Sequence, residues 1–181
     1  MKKIAILLAS TLLIVVASLW CAAQNNGVQT VTTSAKTTEI KWLSYDEAAK
    51  LTAKKPRKIF IDVYTDWCGW CKRMDKTTMQ DAKVIEYMNK KFYAVKLNAE
   101  SGKKIVYKGQ TMTEQELAAQ IFHATSFPTT VYLDEGENLL QPLAGYLEPD
   151  VLTKILHYFG DDYYKNTSWD DFQVSYKPTT N

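Results

Sequence analysis

Lys58-Ile-Phe-Ile-Asp-Val-Tyr-Thr-Asp-Trp-Cys68-Gly-Trp-Cys71-Lys-Arg-Met74 carries three signals in one run. Lys58 to Tyr64 is rich in β-branched and aromatic residues, which predicts a buried strand. Cys-x-x-Cys follows and opens a segment able to run as a helix. One acid, Asp62, interrupts the apolar strand. Cysteines at this spacing can close a disulfide across one turn, where Cα atoms lie about 5 to 6 Å apart. So short a loop stabilises little: chain entropy gives roughly 2 kcal/mol, against about 4 to 5 for a long loop. Local closure suits a bond that opens and closes.

A helix starting at Cys68 places that thiol on the unpaired N–H groups of the first turn. Those donors and the helix dipole favour the thiolate and lower its pKa. Cys71, one turn further in, is expected to be more covered. The reading is that Cys68 attacks and Cys71 resolves. Asp62 lies six residues before Cys68. Burial penalises its charge and should raise its pKa, so it can accept and return the proton of Cys71. The alternative is an Asp62 that faces solvent from an edge strand.

Outward from this stretch, the N-terminus has a basic start at Lys2 and Lys3, an apolar run to Trp20, then Cys21-Ala22-Ala23 before Gln24. It is expected to be an export signal over 1–23, cleaved to release a periplasmic chain. Two rivals stand beside that. One is an uncleaved membrane anchor, since Ile4 to Trp20 is near the lower limit for a span. The other is a lipoprotein attached at Cys21, against which the bulky Trp20 argues. The Thr-, Asn- and Gln-rich stretch 24–38 is expected to be a flexible linker. The domain follows over 39–181.

The chain has 181 residues, a length that fits one domain. Its hydrophobic fraction of 46% is enough for a core. Formal net charge is +2. Without Lys2 and Lys3, 20 basic residues face 20 acidic ones, and no basic excess points to nucleic acid. Cys21 leaves with a cleaved signal. One close cysteine pair then remains, which fits a redox protein better than a disulfide scaffold. Zinc needs two further ligands, and there is no second Cys pair. His123 and His157 are too scattered to supply them and are expected in a loop and on a helix surface. No metal is expected.

Several elements are legible by their caps. Ser44 to Glu47 is a capping box opening a helix to about Ala53, and Lys54-Lys55-Pro56 ends it. Asp81 caps a helix to Lys90, with Val84, Ile85 and Met88 on one face. Met74, Met79 and Met88 are expected in the core. Glu39 to Trp42 fits a short edge strand, and Phe92 to Leu97 a second inner strand. Ile105-Val-Tyr107, Lys108-Gly109-Gln110 and Thr111-Met112 predict a small hairpin. Thr113 to Glu116 caps a helix to about Phe122. Leu139 to Ala144 is a returning strand after the turn Glu135 to Asn138. Pro149 starts the last long helix, with Val151, Leu152, Ile155 and Phe159 inward and Gly160 closing it. Ser168 starts a short extra helix whose Trp169 and Phe172 pack back. In Thr125-Ser-Phe-Pro128-Thr-Thr-Val-Tyr-Leu133, a proline directly before a β-branched strand is awkward mid-sheet. A cis Phe127–Pro128 bond explains it; an ordinary loop proline is the alternative.

Asp62, Trp67-Cys68-Gly69-Trp70-Cys71 and Phe127-Pro128-Thr129, in this order, resemble the thioredoxin superfamily. The similarity covers about Glu39 to Gly160. It implies a thioredoxin fold: a mixed, mostly parallel central sheet with helices on both faces, here with the hairpin insertion and the extra C-terminal helix added. It implies catalytic Cys68, Cys71 and Asp62, with Trp67, Gly69, Trp70, Phe127, Pro128 and Gly145 on the substrate-binding surface. The Pro128 loop would present main-chain groups to substrate, and Gly145 matches a glycine that permits close backbone approach. Trp70 stands where ordinary thioredoxins have proline. Trp-Cys-Gly-Trp-Cys-Lys looks more like exported bacterial thioredoxin-related proteins and the soluble domain of thiol-reducing membrane transporters. The implied activity is exported thiol–disulfide exchange, reducing disulfides in envelope proteins, with a membrane thiol-reducing transporter as electron donor. The chain would work as a monomer with no cofactor beyond its redox disulfide. A thiol oxidase and a non-enzymatic binding module are the other readings.

Overall fold

The computed structural model describes residues 38–177. The expected signal 1–23, Cys21 and all of the expected linker but Thr38 lie outside the described residues. Among the described residues no helix is long and apolar enough to cross a membrane.

In chain order the elements are β1 (Trp42–Leu43), α1 (Tyr45–Lys54), β2 (Lys58–Tyr64), α2 (Gly69–Lys76), α3 (Ala82–Lys91), β3 (Phe92–Asn98), β4 (Lys104–Tyr107) and β5 (Gln110–Thr113). Then come α4 (Glu114–Glu116), β6 (Thr129–Leu133), β7 (Leu139–Ala144), α5 (Pro149–Gly160) and α6 (Trp169–Ser175). The main sheet has the order β1-β3-β2-β6-β7. β1, β3 and β2 run parallel, while β6 and β7 are antiparallel neighbours. Pro142, which has no N–H to donate, sits on the edge strand β7. β4 and β5 form a separate hairpin. Its turn has positive φ at both Lys108 (47°) and Gly109 (81°), the geometry tight hairpins favour.

β2 is central and buried on both faces, so its side chains sort by alternation. Ile59, Ile61 and Val63 enter one core with Tyr45 and Ala48 of α1, Ile105 and Tyr107 of the hairpin, and Leu117 and Phe122. Phe60 enters the other core with Met74 of α2, Met79, Met88 of α3, and Leu152, Leu156 and Phe159 of α5. The three methionines are 0–2% exposed, as core packing requires. Asp62 shares the parity of Phe60 and therefore belongs to the layer under α2 and α3.

The capping boxes at Ser44–Glu47 and Thr113–Glu116 both form, and Asp81 caps α3 through Lys83 and Val84 N–H. Several local readings change. Val151, expected inward on α5, is 43% exposed. The helix expected from Thr113 to Phe122 is one α turn followed by a wider turn over Leu117–Ile121, where Phe122 N–H bonds Leu117 C=O at 3.1 Å. That five-residue repeat brings Leu117 and Phe122 into the same core, which an α-helix would hold apart. Gly160 does not close α5 by a left-handed conformation. A Cβ there would meet the Tyr87 hydroxyl at 2.7 Å, so glycine allows α3 and α5 to approach. The left-handed residue is Asp162, at φ 64°. α6 packs back as expected: Phe172 is buried, with ring centres of Tyr158 and Tyr163 at 5.1 and 4.8 Å.

Candidate active site

Cys68 is the N-cap of α2, one residue before the helix proper, and its Sγ accepts the Cys71 N–H at 3.0 Å. The two cysteines are joined in a disulfide with Cα atoms 5.3 Å apart. Cys68 is 4% exposed and Cys71 2%, so in the oxidised form covering hardly separates them. What separates them is the helix start. Cys68 sulfur sits on a free first-turn donor, while Cys71 supplies that donor.

Asp62 is fully buried. Its Oδ2 accepts from Lys96 Nζ at 2.6 Å, and its Oδ1 has no partner among the described residues. Burial pushes the Asp62 carboxyl above the ordinary aspartate range; Lys96 opposes the rise and Asp75 adds to it. The solvent-facing alternative is therefore excluded, and β2 is no edge strand. Lys96 was not among the sequence candidates. It lies on β3 directly opposite Asp62 in the parallel register. It also pairs with Asp75 of α2 and lies about 5 Å from the ring centres of Trp42 (5.1 Å) and Tyr64 (5.2 Å). Burial lowers the Lys96 pKa, but the two carboxylates outweigh that and the net shift is upward. A lysine inside an apolar inner strand, beside a strand carrying an aspartate, was the signal available.

Aromatic side chains surround the cysteines. Trp67 is 68% exposed, donates from Nε1 to Glu100 Oε1 at 2.9 Å, and meets Phe127 edge-on at 6.1 Å. Trp70 is 55% exposed and leans on Tyr146 at 5.5 Å. The Phe127–Pro128 bond is cis. Pro128 C=O accepts the Gly145 N–H at 2.8 Å, tying the two loops together. Gly145 has φ 102°, and a Cβ there would meet no atom within 4 Å. Glycine is needed for that conformation, not for room within the fold. Gly69 likewise has open space around a notional Cβ.

His123 sits in a loop with φ 52°. His157 lies in the last turn of α5 with its side chain 18% exposed; its ring packs 3.9 Å from Tyr87 and bonds Asp161 at 2.9 Å. Neither approaches the cysteines as a ligand set, and among the described residues no cluster of three metal-ligating side chains occurs.

Residues 45–160 match the model of a thioredoxin-like domain. The chain belongs to the thioredoxin-like domain family. Its paired cysteines place it among the thiol–disulfide oxidoreductases of that family. It is 31% identical over 101 residues to the thiol:disulfide interchange protein DsbD of Actinobacillus pleuropneumoniae, covering 55% of this chain and 16% of that protein. The chain thus spans about a sixth of that relative. Among solved structures it resembles a thioredoxin-fold protein from Helicobacter pylori, with TM-score 0.58, 22% identity, and coverage of 78% of this chain and 89% of that one. It also resembles a putative disulphide-isomerase from Bacteroides thetaiotaomicron, with TM-score 0.51, 27% identity, and coverage of 68% and 92%.

Proposed function

We propose that this protein is an exported disulfide reductase acting on envelope proteins. The observation that carries this reading is Asp62: a buried carboxyl with a raised pKa and one oxygen unpartnered, on the strand that leads into the cysteine turn. Cys68 thiolate attacks one sulfur of the target disulfide, and the other target sulfur leaves as thiolate. Asp62 takes the proton of Cys71. Cys71 thiolate then attacks Cys68 Sγ and expels the second target thiol. The target gains two electrons, and Cys68–Cys71 is left oxidised. An external dithiol must restore it; the DsbD similarity supports a membrane reductase as that source. Trp67, Trp70, Phe127 and the Pro128 loop offer the surface on which an extended target segment lies.

The reduction potential tests the direction. A reductase should lie nearer about −270 mV than the strong oxidant's roughly −120 mV. Since 30 mV is about 1.4 kcal/mol, the two outcomes are far apart. Cys71→Ser should trap a mixed disulfide through Cys68. A potential near −120 mV would make the oxidase reading the better one.

A further inference from the structure

The two aromatic contacts beside the cysteines differ in charge. On the Trp67 side the accompanying groups are acidic, Glu100 on the indole N–H and the exposed Asp66. On the Trp70 side the group against the rings is Arg73, with one carboxylate, Glu148, on the Tyr146 hydroxyl. Its guanidinium carbon lies 5.1 Å from the Trp70 ring centre and 5.4 Å from that of Tyr146. Tyr146 is itself held, its hydroxyl bonding Thr77 Oγ1 at 3.0 Å and Glu148 Oε2 at 3.3 Å. Arg73 is exposed, and among the described residues it forms no ion pair. Lys72 and Lys76 add positive charge to the same helix, while Asp75 is engaged by Lys96.

We infer that Arg73, braced by Trp70 and Tyr146, is a specificity-determining residue that receives the carboxylate of an Asp or Glu flanking the target disulfide. This rests on the thiol-exchange reading above. A guanidinium presents a planar fork that matches a carboxylate with two parallel N–H donors. Ring contacts fix its plane in advance while its N–H edge stays open, so less freedom is lost on binding. The partner is a polypeptide with an acid beside its cysteine; a basic flank would meet Arg73, Lys72 and Lys76 as like charges.

The test uses the full chain, dithiothreitol as reductant, and two peptides with the same internal disulfide, one with Glu and one with Lys beside a cysteine. The readout is the ratio of kcat/KM for the two peptides on the same enzyme, so a general loss of activity in a variant cancels. For the unaltered chain the Glu peptide should be favoured about fivefold, equivalent to about 1 kcal/mol. Added salt should shrink that preference. Arg73→Gln should bring the ratio to near one, and Arg73→Lys should restore only part of it. A ratio of one in the unaltered chain, or an unchanged ratio in Arg73→Gln, overturns the inference while leaving the exchange reading in place. Failure to reduce either peptide overturns both.

Discussion

Lys58 and Asp62 lie four residues apart on β2, on one face of the sheet, and both are buried charged residues. Their surroundings differ. Lys58 Nζ bonds Glu135 at 2.7 Å and pairs with Asp162 at 2.8 Å. Burial alone would lower its pKa, but these carboxylates outweigh burial and raise it. Asp62 has one cation at 2.6 Å and one oxygen without a partner, and its pKa is raised toward the neutral form. One site sets two carboxylates against its lysine and holds its charge. The other is under-satisfied and poised to hold a proton. Buried charge at the first site ties the C-terminal segment to the sheet; buried charge at the second sits on the strand leading to the cysteines, where the proposed exchange needs a proton acceptor.

The largest expected effect comes from Asp62→Asn. Turnover should fall about 100-fold with loss of the proton acceptor. The fold should gain about 1 to 3 kcal/mol, since a buried charge is removed and Lys96 keeps Asp75. A denaturant titration beside steady-state reduction of a peptide disulfide measures both. Loss of stability, or unchanged turnover, would erase the contrast with Lys58.

Next is Lys58→Met. It leaves Glu135 unpaired while Asp162 keeps Lys165 at 3.0 Å, and their side chains, 39% and 45% exposed, can return to water. The cost should therefore be about 2 kcal/mol, below the usual 3 to 5 for breaking a fully buried pair. The alkylation rate of the reduced cysteines should stay the same within twofold. The two sites also differ in pH dependence. Below the ordinary aspartate value Asp62 is neutral in both folded and unfolded chains and costs no charge burial. Above it the unfolded chain releases the proton first, so the Asp62 contribution to stability falls as pH rises to the raised folded value. The gain from Asp62→Asn should therefore grow across that window. The Lys58 contribution, from a raised lysine pKa, is present below the ordinary lysine value and fades only as pH rises through the higher folded one.

Lys96→Met should give the smallest effect. Asp62 loses its opposing cation, and the pH at which exchange reaches half its maximum should move up by about one unit. A pH profile of turnover checks it; a downward move would place another group in control.

Much of this site was legible because its parts lie close in sequence. The strand, Asp62, Cys68 and Cys71 occupy one run, and the caps at Ser44, Asp81 and Thr113 each depend on contacts within three residues. What escaped was set by distant pairing. Lys96 meets Asp62 only through the β2–β3 register, and Tyr146 reaches Trp70 and Arg73 only after β7 has returned along β6. Gly160 does end α5, but the reason a glycine stands there escaped, because the neighbour that needs the room, Tyr87, is on another helix. His157 looked superficial because the rings that cover it, Tyr87 and Tyr176, come from α3 and from the segment after α6.

The central claim is that Asp62 is a buried acid kept available for a proton. Its carboxyl ¹³C resonance, followed by NMR across pH in the reduced full chain, reports this directly. The account predicts a titration midpoint clearly above the ordinary aspartate value of about 3.9, with exchange turnover rising over the same range. A midpoint at or below that value would mean that Lys96 holds Asp62 as a permanent carboxylate, and the contrast with Lys58 would be gone.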